Sequence, residues 1–492
     1  MAKCIMVQGT MSGAGKSLLV TALCRIFAQD GYRVAPFKSQ NMALNSYITR
    51  DGLEMGRAQV AQAQAAGKEP DVRMNPILLK PSSDVGSQLI VNGEVRGDYR
   101  ARDYFRMKKT LIPDIMAAYH SLAEENDIIV IEGAGSPAEI NLREDDIVNM
   151  GLAELVNAPV LLVGDIDRGG VFAQLYGTMA LLQEQEQQRV VGLVVNKFRG
   201  DVDILKPGLA MLEEKTGVPV LGVIPYTRAD IDDEDSLSQR LEQTGGHKPV
   251  DIAILRLPRI SNFTDFAPLE RHEALGVRYV NSVQELGQPD LVILPGTKNT
   301  MGDLLWMRQN GLEAGVRQLA ARGVPVLGVC GGYQMLGRQL KDPENVEHGG
   351  ELEGMGLLPC ETVFSSQKVR TRVSGEVVFP PLAGAKLEGY EIHMGRTLVD
   401  CPHFCTLSEG QPEGATQDLV FGTYLHGLFD SGELVSKLAN WLLTRQGKDP
   451  ETVAVESHRD YEQRQFDLLA EEVRRSLDLE AVYRAMEAYQ HG

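Results

Sequence analysis

Short runs of Val, Ile and Leu recur at 5–8, 33–37, 128–131, 160–164, 190–195 and 218–224, with segments of helical length between most of them. A strand buried on both faces is apolar throughout, and two such strands lie parallel only when a long crossover joins them. The pattern predicts a parallel sheet with helices on both faces. A second series at 250–257, 277–281, 290–294 and 324–329 predicts another unit of the same kind. The expected fold class is α/β: two doubly wound, mainly parallel sheet domains followed by C-terminal helices.

A chain of 492 residues is too long for one compact core. The stretch 226–249 is acidic and polar and holds Gly245 and Gly246, so the linker is placed there. The expected division is a nucleotide-binding synthetase domain at 1–230, a linker at 231–249, a second catalytic domain at 250–440 and a helical extension at 441–492. From about 431 onward ELVSKLANWLL and YEQRQFDLLAEEVRRSL carry apolar residues at three- and four-residue spacing, and the simplest packing is against the second domain.

A formal net charge of −18 argues against nonspecific nucleic-acid binding, and an anionic substrate would need a local basic pocket. Six scattered cysteines make no disulfide framework and point to a reducing compartment. The N-terminal MAKCIMVQGT lacks a signal-peptide pattern, and no apolar run approaches the ~20 residues of a membrane helix. The expectation is a cytoplasmic protein with no membrane or nucleic-acid partner; self-association into a homo-oligomer stays open.

Residues 5–17, IMVQGTMSGAGKS, read as strand, glycine-rich loop and helix start. Backbone N–H groups of such a loop cradle phosphates, Lys16 reaches the terminal phosphates of ATP, and the Ser17 hydroxyl can ligate Mg²⁺. Gly9, Thr10, Gly13 and Gly15 complete the candidate loop, although Thr10 stands where the usual spacing has its first glycine. In IIVIEGAGSPAEINL, Glu132 ends an apolar strand at a position suited to organising Mg²⁺. Lys38 ends another strand, and the carboxyl ends of an open parallel sheet converge on one crevice. The loop resembles the dethiobiotin-synthetase branch of P-loop proteins. That resemblance implies carboxylate activation by phosphorylation, and it makes Asn196, in GLVVNKFRGD, a candidate for base contact.

The run VPVLGVCGGYQML at 324–336 places Cys330 between an apolar strand and a helix. A nucleophile on so sharp a turn projects from the sheet, and Gly328, Gly331 and Gly332 permit close backbone and substrate approach. The run FGTYLHGLFD supplies His426 as a base just after a strand. Glu391 and His393 in GYEIHMGRT either line the same pocket or pack. Cys401, His403 and Cys405 have no second cluster and do not read as a zinc site.

GVCGGYQ, YLHG and LPGTKNT together resemble class I glutamine amidotransferase domains. The resemblance implies that Cys330 attacks the glutamine amide, His426 shuttles the proton to departing ammonia, and backbone N–H groups near Gly331 and Gly296 receive the oxyanion. Most such domains carry a glutamate two residues after the histidine, where this chain has Leu428, so another acid or none orients the base. With GTMSGAGKSLLVTALCRIFAQDGYRVAPFKSQNMALNS and DIDRGGVFAQLYG, the likeness extends over nearly the whole chain to the corrinoid-amidating synthetases of cobalamin biosynthesis. It implies amidation of four peripheral carboxylates (b, d, e and g) of adenosylcobyrinic acid a,c-diamide to adenosylcobyric acid, from corrinoid, ATP and glutamine, without a tightly bound organic cofactor. Lys38, Arg57, Lys80, Arg143 and Arg168 are candidates for the substrate carboxylates. Two other readings remain: the enzyme that forms the a,c-diamide, and a P-loop switch protein with an inactive amidotransferase module.

Overall fold

The computed structural model describes residues 2–81, 86–231, 241, 248–450 and 456–490. It resolves into two compact units, one comprising 1–42, 55–232 and 462–492, the other 43–54 and 233–461. Within the linker expected at 231–249, residues 232–240 and 242–247 lie outside the described residues.

The first unit is built on six parallel strands in the order Val220–Pro225, Val190–Phe198, Val160–Asp165, Lys3–Gly9, Ile128–Glu132, Val34–Phe37. Ile5, Met6, Val7 and residues 128–131 are wholly buried, as continuous apolar strands under two helical layers must be. A smaller four-stranded sheet, Gln40–Met42, Ile77–Pro81, Gly86–Val91 and Glu94–Arg100, follows the edge strand in the chain.

The helix Glu433–Arg445 packs in the core of the second unit as expected, but the last two helices do not. Phe466, Leu469 and Val473 of the helix His458–Ser476, with Val482 and Met486 of Leu479–Gln490, are buried in one apolar cluster with Ile5, Val7, Leu23 and Phe27. They complete the core of the first unit rather than the second. Amphipathic spacing establishes that a helix buries one face, but not which surface receives it.

The second unit has the sheet order Leu275–Val280, Val250–Leu255, Leu291–Leu294, Val326–Val329, Val420–Thr423, Ala415–Gln417, with only the last strand antiparallel. A second, largely antiparallel sheet is dominated by Cys360–Val377 and Lys386–Val399, and its last strand is Leu425–His426. Among the described residues no helix is long and apolar enough to cross a membrane.

Candidate functional site

In the second unit, the strand Val326–Val329 ends at Cys330, whose φ of 50° and ψ of −109° lie in a strained region for a side-chain-bearing residue. Such backbone costs about 1–3 kcal/mol and persists only where its surroundings impose it. They do so here: a Cβ on Gly332 would stand 2.0 Å from the Leu294 carbonyl oxygen, so the helix Gly331–Leu336 presses directly on the neighbouring strand. Cys330 is buried, with Sγ 3.6 Å from the Ile392 carbonyl oxygen.

His426 is delivered by the short strand following Val420–Thr423. Its Nδ1 donates to Asp265 Oδ2 at 2.6 Å, and the Gly427 N–H donates to the other carboxylate oxygen at 3.1 Å. Burial opposes charge on the imidazole, but the Asp265 carboxylate, through its charge and its hydrogen bond, and the neighbouring Cys330 outweigh it and push the pKa up to about 10. Tyr390 stacks on the imidazole, with ring centroids 5.5 Å apart and planes at 24°. Leu428, where most such domains have an orienting glutamate, is buried in the apolar core. The acid comes instead from 161 residues upstream. The readable signal was an acid between two phenylalanines, Phe263 and Phe266, which are buried, so that a carboxylate beside them has to find a partner.

Gly296 and Gly331 both approach this pair. A Cβ on Gly296 would lie 3.2 Å from His426 Cε1, and one on Gly331 would lie 3.1 Å from the Thr297 nitrogen. Gln334 accepts from the Thr300 hydroxyl at 2.9 Å and donates to Tyr424 Oη at 3.2 Å. His393 stacks on Tyr424 at 3.7 Å and its Nδ1 bonds the Gly395 carbonyl. Under the strand that leads to His426, Glu413 accepts from the Thr423 hydroxyl and the Tyr424 N–H, both at 2.7 Å; burial pushes its pKa up to about 7 against those bonds. Cys405 also faces Glu413, and His403 contacts Thr406.

In the first unit, the loop from Gly9 enters the helix Lys16–Gln29 through Gly15, which has φ 96° and makes no side-chain cap. A Cβ on Gly15 would lie 2.0 Å from Asn196 Nδ2, which donates to the Ala14 carbonyl at 2.9 Å. Asn196 and Lys197 thus brace the loop, Lys197 Nζ donating to Gly13 O at 2.6 Å and to Asp165 at 2.8 Å. Lys16 donates to the carbonyls of Met11 and Gly135, and Thr10 donates to Gln174.

Two of the expected residues, Ser17 and Lys38, meet at a third, Glu132, together with Gln62, which the sequence did not single out. The Ser17 hydroxyl donates to Oε1 at 2.8 Å and Lys38 Nζ to the same oxygen at 2.9 Å, while Gln62 donates to Oε2 at 2.5 Å. Lys38 and Glu132 form a buried ion pair. The remaining basic candidates occupy separate segments: Arg57 starts the helix Arg57–Ala65, and Lys80 is buried in the strand Ile77–Pro81. Arg143 donates to the Leu181 carbonyl, and exposed Arg168 lies 4.0 Å from Asp165.

The two sites correspond to two described classes of domain. Residues 5–238 match the CobQ/CobB/MinD/ParA nucleotide binding domain, and residues 251–434 match the CobB/CobQ-like glutamine amidotransferase domain. Full-length relatives narrow this further. A cobyric acid synthase of Ruminiclostridium cellulolyticum is 57% identical, covering 99% of this chain and 98% of its own, and one of Lachnoclostridium phytofermentans is 55% identical, covering 99% of each. A solved glutamine amidotransferase aligns with 40% of this chain and 98% of its own, at 17% identity and TM-score 0.30. The chain belongs to the cobyric acid synthase family.

Proposed function

We propose that this chain amidates the b, d, e and g carboxylates of adenosylcobyrinic acid a,c-diamide to give adenosylcobyric acid, a cytoplasmic reaction consuming ATP and glutamine. Membership of the family supports the product, and the two sites support a division of the chemistry.

Glutamine is hydrolysed in the second unit. With its proton already held by His426, Cys330 Sγ attacks the side-chain carboxamide carbon, and backbone N–H groups at Gly331 and Gly296 receive the negative oxygen. The imidazolium returns its proton to the departing nitrogen, and water then cleaves the thioester to glutamate. Asp265 holds the imidazole by Nδ1 so that Nε2 serves the reaction.

Ammonia is used in the first unit. A carboxylate oxygen leaves poorly, so the γ-phosphoryl of ATP is first transferred to it, and ammonia displaces phosphate from the resulting acyl phosphate. Gly9, Thr10, Gly13, Gly15 and Lys16 cradle the phosphates, with Asn196 bracing the loop or meeting the base. Ser17 and Glu132, an alcohol and a carboxylate in hydrogen-bond contact, fit a hard cation that takes its other ligands from phosphate and water. They would hold Mg²⁺, whose chemistry there is neutralisation of phosphate charge. Lys38 meets an activated carboxylate, with Arg57, Lys80, Arg143 and Arg168 as further corrinoid contacts.

The observation that carries this reading is the 2.6 Å His426–Asp265 contact beside Cys330 in a chain whose other unit holds a GKS phosphate loop. The test is mass spectrometry of adenosylcobyrinic acid a,c-diamide, and in parallel of cobyrinic acid, after incubation with the protein, ATP, Mg²⁺ and glutamine. Four added amides are expected. Conversion of cobyrinic acid to the a,c-diamide and no further would assign the chain to the earlier step.

A further inference from the structure

Residues 43–54 belong to the second unit although the chain on either side of them belongs to the first. This strap, which includes the strand Ser46–Ile48, is pinned by polar contacts with no surface exposure. Asn45 Oδ1 accepts from the Asn262 N–H at 2.7 Å, and Asn262 Oδ1 accepts from the Ser46 N–H at 3.0 Å. Tyr390 Oη donates to the Ser46 carbonyl at 2.9 Å and accepts from Asn262 Nδ2 at 3.3 Å. All four residues are buried, none more than 4% exposed.

Two partners of the strap support His426, Tyr390 directly and Asn262 through Asp265. Asn262, at φ 52°, opens the turn Phe263–Phe266, and its carbonyl accepts from the N–H of Asp265, the residue that binds the imidazole. Left-handed backbone is uncommon for a residue other than glycine, and Asn adopts it most readily when local bonds hold it. Tyr390 pairs with His426 across adjacent strands and stacks on its ring. One closed circuit of buried bonds therefore fixes the carboxylate at Nδ1 and the aromatic face beside the ring.

We infer that Asn45 and Ser46, acting through Asn262 and Tyr390, are positioning residues for glutamine hydrolysis, holding His426 in the tautomer and orientation that serve Cys330. The inference rests on the glutaminase reading given above. An unpaired buried amide in such a circuit releases its partners as well as itself, so small deletions should act at a distance.

The test uses the full-length protein with Asn45→Ala, Asn262→Gly and Tyr390→Phe. Asn262→Gly removes the side-chain bonds while easing the left-handed backbone, and Tyr390→Phe keeps the stacked ring and deletes one oxygen. Each should lower kcat for glutamate release about tenfold, leave KM for glutamine within about twofold, and move the alkaline limb of the pH profile to lower pH. Amidation from high ammonium should be unchanged. The double variant Asn45→Ala/Tyr390→Phe should lose little more than the worse single variant, because both cut one circuit. Unaltered kcat and pH profile, losses confined to KM, multiplicative losses in the double variant, or an equal loss of ammonium-dependent amidation would each overturn the inference. If Asn45→Ala does not fold, Tyr390→Phe decides alone. Wild type and Cys330→Ala run alongside: glutamate release by Cys330→Ala, or none by wild type, sinks the glutaminase reading instead.

Discussion

Both oxygens of the Asp265 carboxylate are occupied, one by His426 Nδ1 and one by the Gly427 N–H, so the acid and the base are locked to the same turn. Two unit charges about 4 Å apart interact by about 4 kcal/mol at an effective dielectric near 20, worth about three pKa units. With the hydrogen bonds added, this overcomes the burial that would otherwise discharge the imidazole, which is why its pKa rises. Asp265→Asn removes the charge and favours the wrong tautomer. Steady-state glutamate release should then fall about a hundredfold or more, the scale seen when the acid orienting a catalytic histidine is neutralised. The sign of the pH effect follows: Asp265 raises the His426 pKa, so its loss lowers that pKa, and the alkaline limb of the rate profile moves toward neutrality. An unmoved limb would show that Asp265 does not set the charge on His426. Amidation from ammonium serves as the control and should not change.

Elements whose geometry depends on glycine or on continuous apolar sequence were legible in the chain. The elbow at Cys330 was one, because Gly332 must clear a carbonyl oxygen, and the phosphate loop was another, because Gly15 must clear Asn196. The long strands Cys360–Val377 and Lys386–Val399 were not read as a sheet, since most of their positions are exposed or only partly buried and they present no apolar run. The docking of the last helices was also hidden, because helical periodicity carries no address. Phe466, 1% exposed against the first unit's core, tests that docking. Phe466→Ala should cost about 3–5 kcal/mol, the usual range for a buried aromatic. Read as activity remaining after incubation in increasing urea, the midpoint for ammonium-dependent amidation should fall while that for glutamine hydrolysis holds. Equal shifts in both would mean that the helix does not belong to one unit.

For the whole molecule, the linear order of motifs suggested two consecutive domains, but the chain is not partitioned that way. The strap 43–54 is lent by the first half to the second unit, and residues 462–492 return from the end of the chain to the first. Residue chemistry nonetheless separates cleanly: Cys330, His426 and Asp265 lie in one unit, and Lys16, Ser17, Lys38 and Glu132 in the other. Ammonia in water at neutral pH is mostly ammonium and a poor nucleophile, so hydrolysing glutamine on the same chain is useful only if the other unit supplies an electrophile. Variants of the two key residues should therefore fail differently. Cys330→Ala should abolish amidation from glutamine yet retain it from high ammonium at near wild-type rate. Lys16→Ala removes the cation proposed to meet the terminal phosphates and should reduce amidation from either nitrogen source about a hundredfold or more. Corrinoid amides counted by mass spectrometry, with glutamate release measured in parallel, distinguish the cases. Amidation from glutamine by Cys330→Ala would remove the thiol from the mechanism, and undiminished amidation by Lys16→Ala would remove the phosphate loop.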